Sequence, residues 1–160
     1  DITIRFKIMI TTHQKNIAAL THLSALSKFI FPLGNFIMPL ILWTLNKDKS
    51  DFIDKHGKQA INFQLSILLY SVIIASLTIP LFVFGVLDHF SFPEVWRGMH
   101  HNITMDIDNA AGIQIAVFAV VIVFLAIIAT VFEIIFIILA TTKANSGELY
   151  NYPITINFLK

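Results

Sequence analysis

The amino-acid sequence predicts an all-α, polytopic membrane protein with three transmembrane helices, and three observations support this fold class. Of the 160 residues, 56% are hydrophobic and only 13% are charged, whereas about 25% of the residues of a soluble domain are charged. Phenylalanine alone occurs 15 times. The apolar residues gather in long stretches almost free of charge, and a helix needs about 20 such residues to cross a bilayer core of roughly 30 Å.

The same composition excludes several classes of protein. A chain of this length with so few polar residues cannot cover a soluble surface, which argues against a cytosolic enzyme, a disordered chain and a nucleic-acid binder. Cysteine is absent, so disulfides, thiolate metal sites and cysteine nucleophiles are excluded. The net charge of +1 offers no long-range attraction for a charged partner. We therefore expect membrane lipids, and no nucleic acid, among the partners.

Three stretches are long enough to be the transmembrane helices. They cover residues 24–45, 60–87 and 113–140, of which the second carries no charge and the third carries only Glu133. Each reaches the length of about 20 residues that a crossing helix needs, and the last two are long enough to tilt. With their connections they are expected to make residues 1–160 a single membrane domain.

The first of these stretches leaves the number of crossings open. Pro32 and Pro39 lie inside it, and a proline removes a backbone donor and favours a kink. Apolar residues recur at three-residue spacing over Ile17–Leu26, which indicates an N-terminal amphipathic segment. A bend at Pro32–Asn35 would turn this segment and the first stretch into a hairpin. The protein would then have four crossings instead of three.

The distribution of lysine and arginine orients the chain. The loop at residues 46–59 contains four lysines, whereas the loop at residues 88–112 contains only Arg97 and is otherwise acidic. Because positive loops stay cytoplasmic, residues 46–59 are expected inside and residues 88–112 outside. Three crossings place six positive residues inside and five outside, or three outside if the chain starts at Met9. Four crossings improve this balance, so the charge count slightly favours the hairpin.

Glu133 is the strongest candidate for a functional side chain, because a carboxylate within a membrane span is costly and marks a functional site by default. Gln64 and Asn35 lie at matching depths on the other two predicted spans. Glu133 therefore either accepts a proton or contacts a substrate, or it is a protonated acid that joins the helices by hydrogen bonds. The joining role is favoured because it buries no charge. Asn62, on a different face of the second span from Gln64, is a further buried polar candidate.

The remaining polar residues indicate no catalytic centre. The loop at residues 88–112 holds several acidic and histidine residues, but their spacing matches no metal-binding motif. The sequence contains no glycine-rich phosphate loop, nucleophile elbow or zinc-protease motif. We therefore expect no catalytic residue, no metal and no cofactor.

Two segments, at residues 52–64 and 143–155, carry a resemblance to a known family. The residues that recur in it are Phe52, His56, Gln59, Asn62, Phe63, Asn145, Gly147, Glu148, Tyr150, Tyr152 and Pro153. On these residues the chain resembles, over residues 13–160, a Bacteroidota-like bacterial family of small integral-membrane proteins of unknown function. That family is distantly grouped with the twenty-kilodalton component of the chloroplast inner-envelope translocon. The resemblance implies a compact helical fold in the bacterial inner membrane and supplies no reaction.

The favoured function is therefore a non-enzymatic accessory or scaffold protein of the inner membrane. Helix faces lined with small residues suit packing against other membrane-protein subunits or further copies of the chain. The alternative is a transport or protein-translocation component, which would have to be an oligomer because three helices cannot enclose an aqueous pore. A membrane enzyme that acts on lipid through Glu133 or the histidines at residues 88–112 ranks last.

Overall fold

The structure, a computed structural model, describes residues 10–88 and 109–160. Over these residues the chain is helical and has no strand, so the predicted all-α class is confirmed. Short 3₁₀ segments follow the first helix, at Ser24–Phe29, and the second, at Lys47–Lys49. The α-helices of the described residues are α1 Thr12–Leu23, α2 Gly34–Asn46, α3 Asp51–Asp88 and α4 Asn109–Asn145.

α1 begins at a capping box. The Thr11 side chain accepts a hydrogen bond from the main-chain N–H of Gln14, and the Gln14 side chain accepts one from the Thr11 N–H at 3.0 Å. These bonds satisfy two N–H groups that a helix start leaves without partners. One face of α1 buries Ala18 and His22. α1 is therefore held in the fold on that face.

The prediction of a single transmembrane helix at residues 24–45 is wrong. The chain forms a 3₁₀ segment, turns at Pro32 and Leu33, and starts α2 at Gly34. Leu33 has a left-handed backbone with φ +63°, and Pro32 has no N–H to donate, so a helix cannot continue through this point. α2 has 13 residues. At 1.5 Å per residue it is about 20 Å long, short of the roughly 30 Å that a crossing requires.

We call Thr12–Asn46 the N-terminal hairpin and its turn, Phe29–Leu33, the tip. The bend expected near Pro32–Asn35 is thus present, but it does not produce four crossings, because α1 and α2 have only 12 and 13 residues. Over the described residues, the helices long and apolar enough to cross a membrane are two, Asp51–Phe84 and Ile115–Asn145. They correspond to the second and third predicted spans.

The structure describes the first of the two predicted loops but little of the second. α3 begins at Asp51, so most of the expected loop at residues 46–59 is helical. The Ser50 hydroxyl accepts a hydrogen bond from the Phe52 N–H at 3.1 Å and so caps the first turn of α3. The expected external loop at residues 88–112 lies largely outside the described residues. The side of the membrane that each loop faces stays a prediction.

The chain divides into two compact units. The first contains residues 1–70 and 131–160, and the second contains residues 71–130. The main core of the first unit is formed by Ala25, Phe63, Ile137, Ala140 and Tyr152, and a smaller cluster by Ala18, Phe52 and Ala144. Alanine is frequent in both because small side chains allow helix backbones to approach closely.

The second unit has a different character, because its described side chains are mostly exposed and apolar. Within it, Phe82 of α3 stacks on Phe118 of α4 with ring centroids 5.5 Å apart. Exposed leucine, isoleucine, valine and phenylalanine are the expected surface of a helix in lipid. This unit therefore provides most of the apolar length of the two helices.

α4 ends in a Schellman motif. Gly147 has φ +78°, a left-handed conformation that glycine adopts without steric cost. The Gly147 N–H donates to the Ala144 carbonyl at 3.0 Å, and the Glu148 N–H donates to the Lys143 carbonyl at 2.9 Å. These bonds satisfy carbonyls that would otherwise lack partners at the helix end. The turn directs the C-terminal segment back toward α3.

Trp43 anchors α2 to the start of α3. Its indole N–H donates to the Asp54 carboxylate at 2.8 Å, and its ring lies directly against Gly57. A Cβ atom at Gly57 would come within 2.1 Å of the Trp43 ring. Gly57 is therefore required here for close approach of the indole.

Gly57→Ala should destabilise the protein, because the added methyl group would displace the Trp43 ring. Overpacking of this kind costs about 1–3 kcal/mol, measurable by thermal unfolding in detergent micelles. Ser71→Ala, at an exposed position of the same helix, is the matched control and should change little. Unchanged stability of Gly57→Ala would contradict the close contact.

Candidate functional site

Four polar side chains of the first unit meet in the carboxylate network, which consists of Lys28, Asn35, Gln64 and Glu133. Glu133 lies on α4 and is 7% exposed. The Lys28 ammonium forms an ion pair with one carboxylate oxygen, and the Gln64 amide approaches the other at 3.5 Å. The Asn35 amide donates to the Gln64 side-chain oxygen at 2.8 Å. The network thus links both arms of the N-terminal hairpin to α3 and α4.

Sequence reasoning identifies three of these residues but misses Lys28. Asn35, Gln64 and Glu133 are the candidates at matching depths, and the structure brings them together. A signal for Lys28 is present in the sequence, since it is the only lysine or arginine between Lys15 and Lys47. An isolated cation in an apolar stretch requires an anionic partner. The break at the tip is what brings this cation next to Glu133.

The network compensates the buried carboxylate by charge. Burial strongly disfavours an ionised side chain unless an opposite charge and hydrogen bonds compensate it. Lys28 supplies that charge, and its side chain is 24% exposed against 8% for Glu133. Each carboxylate oxygen has a polar neighbour, one from Lys28 and one from Gln64. The arrangement is therefore suited to holding the hairpin in place.

A second polar group of the same unit, the histidine cluster, consists of His22, His56 and Tyr152. His22 Nε2 lies 2.7 Å from His56 Nδ1, and the Tyr152 hydroxyl lies 2.9 Å from His22 Nδ1. All three residues are buried. A neutral imidazole has one donor and one acceptor nitrogen. A consistent set of bonds therefore has Tyr152 donating to His22, and His22 donating to His56.

Burial determines the charge of this cluster. Burial lowers the pKa of His22 well below its ordinary value of 6.5, and the neighbouring His56 lowers it further. Burial also raises the pKa of Tyr152, with additional contributions from Tyr150 and Glu133. His22 and Tyr152 are therefore neutral at physiological pH. The cluster ties α1, α3 and the C-terminal segment together through uncharged hydrogen bonds.

The C-terminal segment docks on α3 through bonds between side chains and main chain. Asn62 donates to the Leu159 carbonyl at 3.0 Å and accepts from the Leu159 N–H at 2.8 Å. Ser66 accepts from the Ile156 N–H at 2.9 Å. Asn62 therefore uses both ends of its amide to hold the C-terminal segment. It contributes to tail docking, whereas Gln64 contributes to the carboxylate network.

The residues that carry the family resemblance lie at the start of α3 and after the end of α4. Phe63 stacks on Tyr152 with centroids 4.0 Å apart, and Tyr150 meets Tyr152 edge-on at 5.1 Å. Gln59 donates to the Asn151 side chain at 3.1 Å. Of the other motif residues, Phe52 and His56 are buried, Gly147 and Glu148 form the turn after α4, and Asn145 and Pro153 are exposed.

The described residues contain no group of three or more histidine, cysteine, aspartate or glutamate side chains that could hold a metal ion. The acidic and histidine residues expected in the external loop lie almost entirely outside that part of the chain. The absence of a metal and of a catalytic residue therefore stays a prediction. The side chains that could carry chemistry, in the carboxylate network and the histidine cluster, bind one another.

One family model matches almost the whole chain. It describes the magnetosome magnetite crystal formation protein family (MamF/MmsF), and the match covers residues 13–159. The chain belongs to this family. Neither the curated proteins nor the solved structures contain a significant match.

Membership of the magnetosome family confirms one part of the resemblance seen in the sequence. The matched family is a small membrane-protein family, and it covers nearly the residues 13–160 that the motifs indicated. The sequence motifs do not indicate the link of this family to magnetite crystals. Nothing in the match supports the grouping with the chloroplast translocon component.

Lys28→Met should destabilise the protein, because it leaves the Glu133 carboxylate buried without its ionic partner. Removal of one member of a buried pair costs about 3–5 kcal/mol, and the partial exposure of Lys28 favours the lower end. Unfolding in detergent micelles measures the loss. The double variant Lys28→Met with Glu133→Gln should recover most of it, because the glutamine amide keeps hydrogen bonds without a charge. Equal losses in the single and double variants would rule out the ion pair as the cause.

Acidification should destabilise the protein through His22. Because its pKa is lowered in the folded protein, the unfolded chain binds a proton below about pH 6.5 that the folded protein does not. This contribution is complete above that pH and falls on acidification, by at most about 1.4 kcal/mol per pH unit. Unfolding free energies at about pH 7.5 and about pH 5.5 measure the effect.

His22→Asn should be less stable than the original protein but should depend less on pH. The exposed His13 of the same helix provides the matched control, and His13→Asn should keep the original pH dependence. If His22→Asn lost as much stability on acidification as the original protein, His22 would not be the responsible group.

Proposed function

We propose that this chain is a non-enzymatic accessory protein of a membrane complex that takes part in magnetite crystal formation. The observation that carries the proposal is the carboxylate network. Its one buried carboxylate is bound to Lys28 and Gln64 of the same chain, so it serves to fix the hairpin and not to act on a substrate. The family is named for magnetite crystal formation, and we extend this process to the chain.

In this proposal α3 and α4 cross the bacterial inner membrane or a membrane derived from it. Their apolar segments, Asp51–Phe84 and Ile115–Asn145, have sufficient length and hydropathy for this. The lysine-rich start of α3 is on the cytoplasmic side, as the positive-inside rule requires. The exposed apolar faces of both helices then meet lipid or other membrane subunits, or a second copy of the chain.

A transport or translocation role is the second candidate. The observation that favours it is the polar contact between Gln64 and Glu133 inside long apolar stretches, since a buried ionisable residue marks many ion pathways. Two crossing helices cannot enclose an aqueous pore, so this function needs several copies of the chain. The ion pair with Lys28 counts against it, because it occupies the carboxylate.

Expression of this chain should restore magnetite crystal formation in a magnetite-forming bacterium that lacks its own member of the family. Electron microscopy of the crystals provides the measurement. The double variant Lys28→Met with Glu133→Gln separates the two candidates. An accessory protein should tolerate it, since no charge is left buried and the bonds made by Gln64 can remain, whereas a transporter that depends on the charge of Glu133 should lose activity.

The same cells test the accessory role through the mass of the complex in which the chain is extracted. Gentle extraction and native electrophoresis should show the chain in a complex much heavier than its 18.1 kDa. Gly57→Ala serves as the control for a folding defect, because it adds a methyl group against Trp43 at a residue that is not a member of the carboxylate network. A monomer in the extract, or crystals that remain defective with the original chain, would refute the proposal.

A further inference from the structure

The tip of the N-terminal hairpin is apolar and exposed. Phe29, Ile30 and Leu33 are 61%, 83% and 64% exposed, and the five residues of the tip contain no polar side chain. A second turn, Pro153–Thr155, presents Ile154, which is 79% exposed. Exposed apolar clusters of this kind mark surfaces that contact a membrane or another protein.

Both turns carry unusual backbone at an apolar residue. Leu33 has φ +63° and Ile154 has φ +59°, and this region is strained for a residue with a bulky side chain, above all a β-branched one. Each strained residue presents an exposed apolar side chain. A hydrogen bond holds each turn: Asn35, just after the tip, donates to Gln64 at 2.8 Å, and the Tyr70 hydroxyl donates to the Ile154 carbonyl at 2.8 Å.

The bonds around the tip place it beside the apolar parts of α3 and α4. Asn35, just after the tip, binds Gln64, and Lys28, just before it, binds Glu133. The apolar stretches start near Ala60 in α3 and end near Ala140 in α4. At 1.5 Å per residue, Gln64 lies about 6 Å and Glu133 about 10 Å inside these stretches. One leaflet contributes roughly 15 Å of hydrocarbon, so the tip reaches into one leaflet without crossing the bilayer.

The main chain of the tip is suited to that depth, where water is absent and each backbone N–H needs a partner. The Ile30 and Phe31 N–H groups both donate to the Ser27 carbonyl, at 3.0 and 3.1 Å. The Gly34 N–H donates to the Phe31 carbonyl at 3.2 Å. Pro32 has no N–H to satisfy. Most backbone donors of the turn are thus satisfied without water.

We propose that the tip and the Pro153–Thr155 turn insert together among the acyl chains of a single leaflet. The N-terminal hairpin is then a re-entrant element, with both of its ends on the same side of the membrane. Lipid is the occupant because the bonds of Asn35 and Lys28 place the tip at the depth of Gln64 and Glu133, and the bond from Tyr70 holds the second turn against α3. This inference rests on the proposed crossing of α3 and α4.

The absence of cysteine allows a direct test by site-directed spin labelling. Ile30→Cys and Ile154→Cys report on the two turns. Ile74→Cys and Ile127→Cys report on the exposed faces of α3 and α4. Lys49→Cys, in the connection before α3, is the aqueous control. Each full-length variant is reconstituted in phosphatidylcholine–phosphatidylglycerol vesicles, and power saturation compares relaxation by oxygen, which enters hydrocarbon, with relaxation by a water-soluble nickel chelate.

Labels at residues 30 and 154 should be relaxed by oxygen and protected from nickel, at a shallower depth than labels at residues 74 and 127. Lys49→Cys should show the reverse. If only residues 74 and 127 are protected, the helices cross but the inserted turns are wrong. If residues 74 and 127 are open to nickel, the proposed crossing itself fails. Protection of residue 30 from both reagents, with dipolar coupling between labels, would assign the tip to a contact between copies and overturn the lipid assignment.

Discussion

The ion pair between Lys28 and Glu133 is the interaction on which the arrangement of the first unit depends. A carboxylate inside a long apolar helix is tolerated only with a compensating charge close by. The chain supplies that charge from a segment that could have continued as a transmembrane helix. The chain turns back at Pro32 and Leu33, and Lys28, just before this turn, reaches Glu133. The ion pair thus fastens the hairpin to α4 and compensates the buried carboxylate at the same time.

The same unit replaces helix–helix packing with polar bonds at several further points. The histidine cluster connects α1, α3 and the C-terminal segment, and Asn62 and Ser66 hold the segment after Thr155 by its main chain. These bonds are directional, so they fix one position of irregular backbone where apolar contacts alone would allow several. The family motifs at the start of α3 and the end of α4 are explained by this docking. They describe a structural joint.

This distribution of polar groups determines how the membership of the magnetosome family is interpreted for this chain. The ionisable side chains of the candidate site bind one another, and the apolar side chains of the two long helices are exposed. Under the proposed accessory function, the bonds among these side chains serve to fix the shape of the first unit.

The sequence alone determined the features that depend on local composition. Charge content and apolar length predicted the all-α membrane class and the second and third of the three spans. The candidates Asn35, Gln64 and Glu133 were found because polar residues in apolar stretches stand out.

Only the tertiary structure decided features that depend on contacts between distant residues. Residues 24–45 meet the length criterion for a span, yet the chain turns at Leu33, and Lys28 and Asn35 on the two sides of the turn bind Glu133 and Gln64. His22 and His56 are 34 positions apart, and Tyr152 completes their cluster from the far end of the chain. No periodicity encodes such pairs. Their positions follow from the energy of satisfying each buried polar group, which becomes defined only when the chain has folded.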